Sequence, residues 1–174
     1  MITRDWVRMM AAYNAEMNRR LYAAAARMPE EVRRAERGAF FGSLHGTLSH
    51  LVWGDNNWMA RFAGWPRPPG GIPGSPHLFA TWDALCAARL ETDTGIEAWA
   101  ATVEDSWLRG PLVWVNFAGE QQVKPVWVTV THFFNHQTHH RGQAHCLITQ
   151  AGVKPADTDL PFVIDLERLG IAPG

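Results

Sequence analysis

In four separate stretches of this chain, apolar residues recur at every third or fourth position, and each such stretch must bury one side of a helix against something else. The first follows Thr3, a residue suited to capping a helix start, and runs through Trp6, Met9, Met10, Tyr13, Met17, Leu21 and Ala25 to about Met28. The second is marked by Phe41, Leu44, Leu48, Leu51, Trp58, Met59 and Phe62 and ends at Gly64. The third begins after Thr81 and carries Trp82, Leu85, Leu90, Ile96, Trp99 and Val103, with Thr94 and Gly95 weakening its middle. The fourth runs from about Trp127 to Ala151, where Gly152 can adopt the left-handed conformation that closes helices. Four apolar stripes in one chain cover one another most simply as a bundle.

The segments between them differ in kind. PEEVRRAERG, from Pro29, reads as a short polar connector, and GWPRPPGGIPGSPH is so dense in proline and glycine that no regular element is expected to pass through it. LVWVNF, AGEQ and QVKPV read as a two-stranded hairpin with a turn inside it. The expected fold is therefore all-α: a four-helix bundle with a long crossover loop and a small β-hairpin before the last helix, forming a single domain over residues 1–174.

Charge narrows the partners. With 16 basic and 17 acidic residues the net charge is −1, so no global field draws in nucleic acid or an anionic membrane. The charged N-terminal run MITRDWVRMMAAYNAEMNRR has no apolar core of a secretion signal, and no stretch is apolar enough to span a bilayer, so a cytoplasmic protein is expected. Cys86 and Cys146 sit in apolar helical text and read as buried free thiols. The nine tryptophans, mostly at helical spacing, read as core and interface filling.

The chemistry concentrates in HFFNHQTHHRGQAH, residues 132–145, which holds five of the eight histidines. His132, His136 and His140 are each four apart and lie near one helix face, but over eight residues a helix rises about 12 Å, while imidazole nitrogens sit about 2 Å from a zinc-like ion. Only one adjacent pair can share an ion. The stripe defined by Val126, Val130, Phe133, Ala144, Leu147, Ile148 and Ala151 takes in His140 and puts His136 on its shoulder, with His132 and His139 about 100° or more away. The inward pair is His136 and His140, and two inward imidazoles one turn apart favour an ion over two separately hydrogen-bonded core histidines. Gln137 stands where a zincin motif needs glutamate, which removes the main support for a peptidase.

A further ligand must come from another helix, and SLHGTLSHLVWGDNNW offers His45 and His50. Periodicity does not choose between them. His50 shares a face with Gly46, Trp53 and Asn57, away from the leucine stripe, and reaches a bundle cavity only if that helix is buried on more than one side.

YNAEMNRRLY, FFGSLHGTLSHLVWGDNNWMARFAG, NHQTHHRGQAHCLITQAG and DTDLPF together, in that order, resemble the DinB family of damage-inducible bacterial proteins, the DinB/YfiT-like metalloprotein superfamily. The resemblance covers nearly the whole chain. It implies a bundle holding a divalent metal, zinc or nickel in type, on three histidines, which by position are His50, His136 and His140. It also implies homodimers and, by likeness to thiol-dependent S-transferases and isomerases of the superfamily, a low-molecular-weight thiol as co-substrate.

Supporting roles are assigned to Asp55, Arg141 and Gln143. Asp55 falls on an apolar stripe, where a bare carboxylate is costly to bury, so either it pairs, with Arg141 as a candidate, or it lies at the bundle end with Arg141 in solvent. Gln143, near the His136 face, is expected to line the cavity. His45, His132, His139 and His145 receive no role. The functional expectation is a metal-dependent enzyme on a small-molecule substrate, a thiol S-transferase or a hydrolase using metal-bound water. The alternative is a stress-response protein that binds metal or ligand without turnover, which the lack of a nearby glutamate base or nucleophile favours.

Overall fold

The computed structural model describes residues 1–172; residues 173 and 174 of the expected domain lie outside the described residues. Helix α1 spans Arg4–Ala26, with the Thr3 hydroxyl accepting from the Trp6 amide at 3.2 Å. The polar connector that follows contains a one-turn helix, α2, Glu30–Arg34. It forms because two acids open the turn, two arginines close it, and Arg33 folds back to donate to the carbonyls of Met28 and Ala25 at the end of α1. Helix α3 is Leu44–Phe62, beginning three residues later than the apolar pattern suggests, because the Ser43 side chain accepts from the Gly46 amide at 3.0 Å.

The crossover is not without regular structure. Ile72–His77 form a 3-10 helix, with Pro73 in the first turn, where a missing N–H costs nothing. Helix α4, Trp82–Thr102, runs straight through Thr94 and Gly95. The glycine is there because the Trp65 ring of the crossover lies on the helix, and a Cβ at 95 would sit 2.5 Å from it. A short α5, Asp105–Leu108, leads to strands β1, Pro111–Val115, and β2, Gln121–Pro125, paired antiparallel with Val113 opposite Val123. Helix α6 is Val126–Gln150, followed by Gly152 at φ +80°, and α7 is Leu160–Val163.

Helices α1 and α3 each pack against both α4 and α6, so the four long helices form a bundle with α1 diagonal to α3. Its interior is divided. One apolar cluster gathers Val7, Met59, Ile96, Val130 and Phe133, and another gathers Leu21, Leu48, Leu85, Leu147 and Ile148. Between them, all four helices contribute polar residues that are buried: Asn14 and Asn18, Asp55, Arg89 and Asp93, Gln137 and Arg141. Among the described residues no helix is long and apolar enough to cross a membrane.

The cysteine expectation is corrected. Both are free thiols, but Cys86 is half-buried and Cys146 is exposed. Cys146 lies two residues beyond the buried Ala144, about 200° further round the helix, and so faces out despite its apolar neighbours.

Candidate metal centre

His136 and His140 are one turn apart on α6, and His50 faces them from α3. One nitrogen from each ring can be chosen so that all three lie within 4.8 Å of one another. Nε2 of His50 and Nε2 of His136 are 3.2 Å apart, close to the ~3.3 Å expected of two nitrogens at about 2 Å from one tetrahedral ion. His50 reaches this position because α3 is buried on nearly every side from Leu44 to Asp55, with α2 and the 3-10 helix covering the face that bundle packing leaves open.

The hydrogen bonds around two of the rings decide which nitrogen is free. The Ser75 hydroxyl donates its only hydrogen to the carbonyl of Ile72 at 2.7 Å, so toward His50 Nδ1, at 2.8 Å, it must accept. His50 therefore carries its hydrogen on Nδ1 and presents the Nε2 lone pair. His140 is held the same way: Nδ1 donates to Gln143 Oε1 at 2.7 Å, which leaves Nε2 free. His136 is placed by packing. Its Cε1 lies 2.9 Å from where a Cβ at position 54 would be, so the α3–α6 approach at this point requires Gly54.

Burial keeps the imidazoles neutral. It pushes His136 down to about 3 and His50 to about 4, with the charge of His140 acting in the same direction, and it lowers His140 as well. Phe41 stacks on His50 with ring centres 3.7 Å apart and lies 5.2 Å from His140, which shields one side of the group from water. Three neutral, converging imidazoles form a donor set suited to a divalent first-row ion.

The model of the DinB family matches residues 3–171. The chain belongs to the DinB family. Among curated proteins, Protein DinB of Bacillus subtilis (strain 168) is 26% identical over 171 residues, covering 89% of this chain and 91% of that one. No solved structure matches the chain.

The other histidines of this DinB-family chain stay outside the group. His45 is buried but bonds the Phe79 carbonyl at 2.8 Å, and His132 lies edge-on to Trp58. His139 is exposed and His145 half-buried, neither within the cluster. Gln143, expected to line the cavity, is half-buried on α6, and its Oε1 accepts from His140 Nδ1.

Asp55 and Arg141 need correction. Both are buried, which removes the reading of a bundle-end aspartate and a solvent arginine, but they are not partners. Asp55 Oδ2 accepts from Arg89 at 2.6 Å and its Oδ1 accepts from the Gln137 amide, while Arg141 donates to Asn14 and to Gln137 Oε1. Arg89 also grips Asp93 at 2.8 Å. Burial, helped by the charge of Asp93, pushes the Asp55 carboxyl up to about 7 against the pull of Arg89 and Arg141; with a guanidinium and an amide N–H both donating to it, the form that satisfies these bonds is the carboxylate. Burial works against the Arg89 cation too, but Asp93 and Asp55 outweigh it and raise its pKa.

Sequence reasoning missed Ser75, Gly54 and the Arg89–Asp93 pair. Only the last left a trace, as two opposite charges four apart on a largely apolar helix. Ser75 sits in a Pro/Gly-rich loop with nothing to mark it.

Proposed function

We propose that His50, His136 and His140 hold one divalent ion, zinc or nickel in type, and that the protein uses it in thiol S-transfer onto a small molecule. The observation that carries this is the convergence of three neutral imidazoles on one point with no fourth protein ligand among the described residues, which leaves a coordination position for an exchangeable group. A bound ion there supplies a Lewis acid that lowers the pKa of a thiol or water.

The residues around it favour a thiol over hydrolysis. Water attack profits from a general base, yet the buried carboxylates at this level, Asp55 and Asp93, are committed to Arg89. A thiol needs only to lose its proton on binding. The ligand histidines supply orientation, and Phe41 excludes water beside His50. A small-molecule substrate, a low-molecular-weight thiol co-substrate, a homodimer and a cytoplasmic setting belong to this reading. The same lack of a free base supports a second one, a non-catalytic metal- or ligand-binding protein of the stress response.

Elemental analysis of untagged protein purified without added metal is expected to find near one divalent ion per chain, and thiols screened against electrophiles should then be turned over. Metal without turnover would leave the second reading; a chain that takes up no ion would end the first and reduce the second to ligand binding without metal. Ser75→Ala should weaken ion binding roughly 10–100-fold by releasing the His50 tautomer, as loss of a residue that orients a ligand does. Competition with a chromophoric chelator measures this, and ¹⁵N resonances of the His50 ring in apo protein report the tautomer directly. Unchanged affinity in Ser75→Ala would remove the serine from the site.

A further inference from the structure

His50, Gly54, Asn57 and Arg61 fall on one line along α3, within about 40° of one another's bearing from His50, and Trp53 and Trp58 stand about 60° and 80° to either side. Gly54 faces the His136 ring, so the line starts at the metal centre. It runs beneath the β-hairpin: Trp114 of β1 lies 5.9 Å from the Trp58 ring, and Phe117, in the turn, stacks 6.0 Å from Trp53. On the α6 side it is bordered by His132, whose ring is 5.2 Å from Trp58 and 5.9 Å from His136.

The polar groups on this line are uncommitted. Asn57 is 6% exposed, and its side chain makes no hydrogen bond among the described residues. Arg61 is half-buried, with Cζ 4.6 Å from the Trp58 ring and 5.8 Å from the Trp114 ring. Those rings offer π faces to the cation but no acceptor to its five N–H groups, and Arg61 makes no ion pair among the described residues. Its place in the last turn of α3 accounts for a positive charge, but not for half burial with the donors unbonded. Arg67, exposed in the crossover, brings a second cation, its Cζ 4.8 Å from the Phe117 ring, and it too has no ion pair among the described residues. Burial lowers the Arg61 pKa and the charge of Arg67 lowers it further, with no carboxylate among the described residues acting against them. Two cations drawn together without an acid form an arrangement that an anion completes. The Arg61 side chain leans back one turn onto Trp58, which puts its guanidinium roughly 10 Å along α3 from His50, within the span of one small molecule.

We propose that the small molecule serving the metal centre carries an anionic group, a carboxylate or phosphate, which Arg61 binds under the hairpin with Arg67 at the rim, while Asn57 bonds the part in between. The inference rests on the three-histidine reading for the other end of that molecule.

The test has two arms. The metal-free, untagged chain is titrated with hexanoate, hexyl phosphate, hexylamine and hexanol while the NMR resonances of Arg61 Nε–Hε and the Trp58 and Trp114 indoles are followed. Saturable shifts with an anion and none with the amine or alcohol are expected, with binding about tenfold weaker in Arg61→Gln and less affected in Arg67→Gln, both read at the indoles. The tighter anion distinguishes carboxylate from phosphate. In the second arm the zinc-loaded chain is titrated calorimetrically with 6-mercaptohexanoate and 6-mercaptohexanol; the acid should bind about tenfold more tightly, an advantage lost in Arg61→Gln. Circular dichroism checks the fold of Arg61→Gln, and Arg67→Gln, at an exposed position, supplies a variant that leaves the packing intact. The proposal is overturned if no anion moves the resonances, if hexylamine or hexanol moves them equally, or if the zinc-loaded chain binds the mercapto acid no better than the alcohol; the metal reading survives each of these. A chain that takes up no zinc ends the metal reading and with it the tie to this centre, and the first arm alone then decides whether the arginines hold an anion.

Discussion

Replacing His136 with alanine is expected to lower affinity for a divalent ion by roughly a thousandfold, beyond the 10–100-fold that follows loss of an orienting residue, while the chain keeps its helical content and its melting temperature in the absence of metal. The reasoning separates the two effects. His136 is the middle donor, one turn from His140 on α6 and 3.2 Å from the Nε2 of His50, so its loss leaves a site of only two donors, one on each helix. Its ring is half-buried and has no hydrogen-bond partner besides His50 among the described residues, so truncation strands little. Chelator competition gives the first quantity and an apo-protein melt the second. Tight binding retained by His136→Ala would exclude the three-histidine centre, and a collapse of the apo fold would make the ring structural.

Arg89→Ala is expected to do the opposite: destabilise the fold severely and reach the metal centre only through it. Asp55, fully buried, and Asp93, 7% exposed, would both lose their cation. Removing one partner of a buried pair costs about 3–5 kcal/mol, because the remaining charge stays desolvated. For a chain of this size that is a fall of roughly 10–15 °C in melting temperature. Urea denaturation measures it, and adding Asp55→Leu and Asp93→Leu to Arg89→Met should recover much of the loss, since an apolar replacement of the whole cluster leaves no charge behind. A loss under about 1 kcal/mol would mean that water reaches the cluster.

The long helices were legible because each needs a wide apolar stripe, and the inward pair His136 and His140 could be placed by phase against that stripe. His50 could not. Its orientation depends on α2 and the crossover covering the outer face of α3, and no single-helix pattern records what another segment will cover. The partner of Asp55 was misread for a related reason: pairing across helices depends on their relative rotation, which stripe phases leave open, and Arg89 on α4 stands nearer than Arg141 on α6. Elements that bury little, such as α2 and the 3-10 turn, leave no apolar period to read. Family resemblance carried His50 where physics did not, and the Ser75 contact then explained how that ring is held.

The polar layer at mid-height also bears on which bundles this sequence refuses. An all-leucine interior would let a helix slide by one turn, about 5.4 Å, and repack at little cost. Here the same slip would set Arg89 or Asp55 against leucines and isoleucines, with no counter-charge to meet it. The layer therefore acts as an index mark: it gives up some stability relative to an apolar core and in exchange rejects shifted alignments of α3 against α6. A three-histidine metal centre would need that, because an ion that tolerates errors of tenths of an ångström cannot be bound by two helices free to choose their offset.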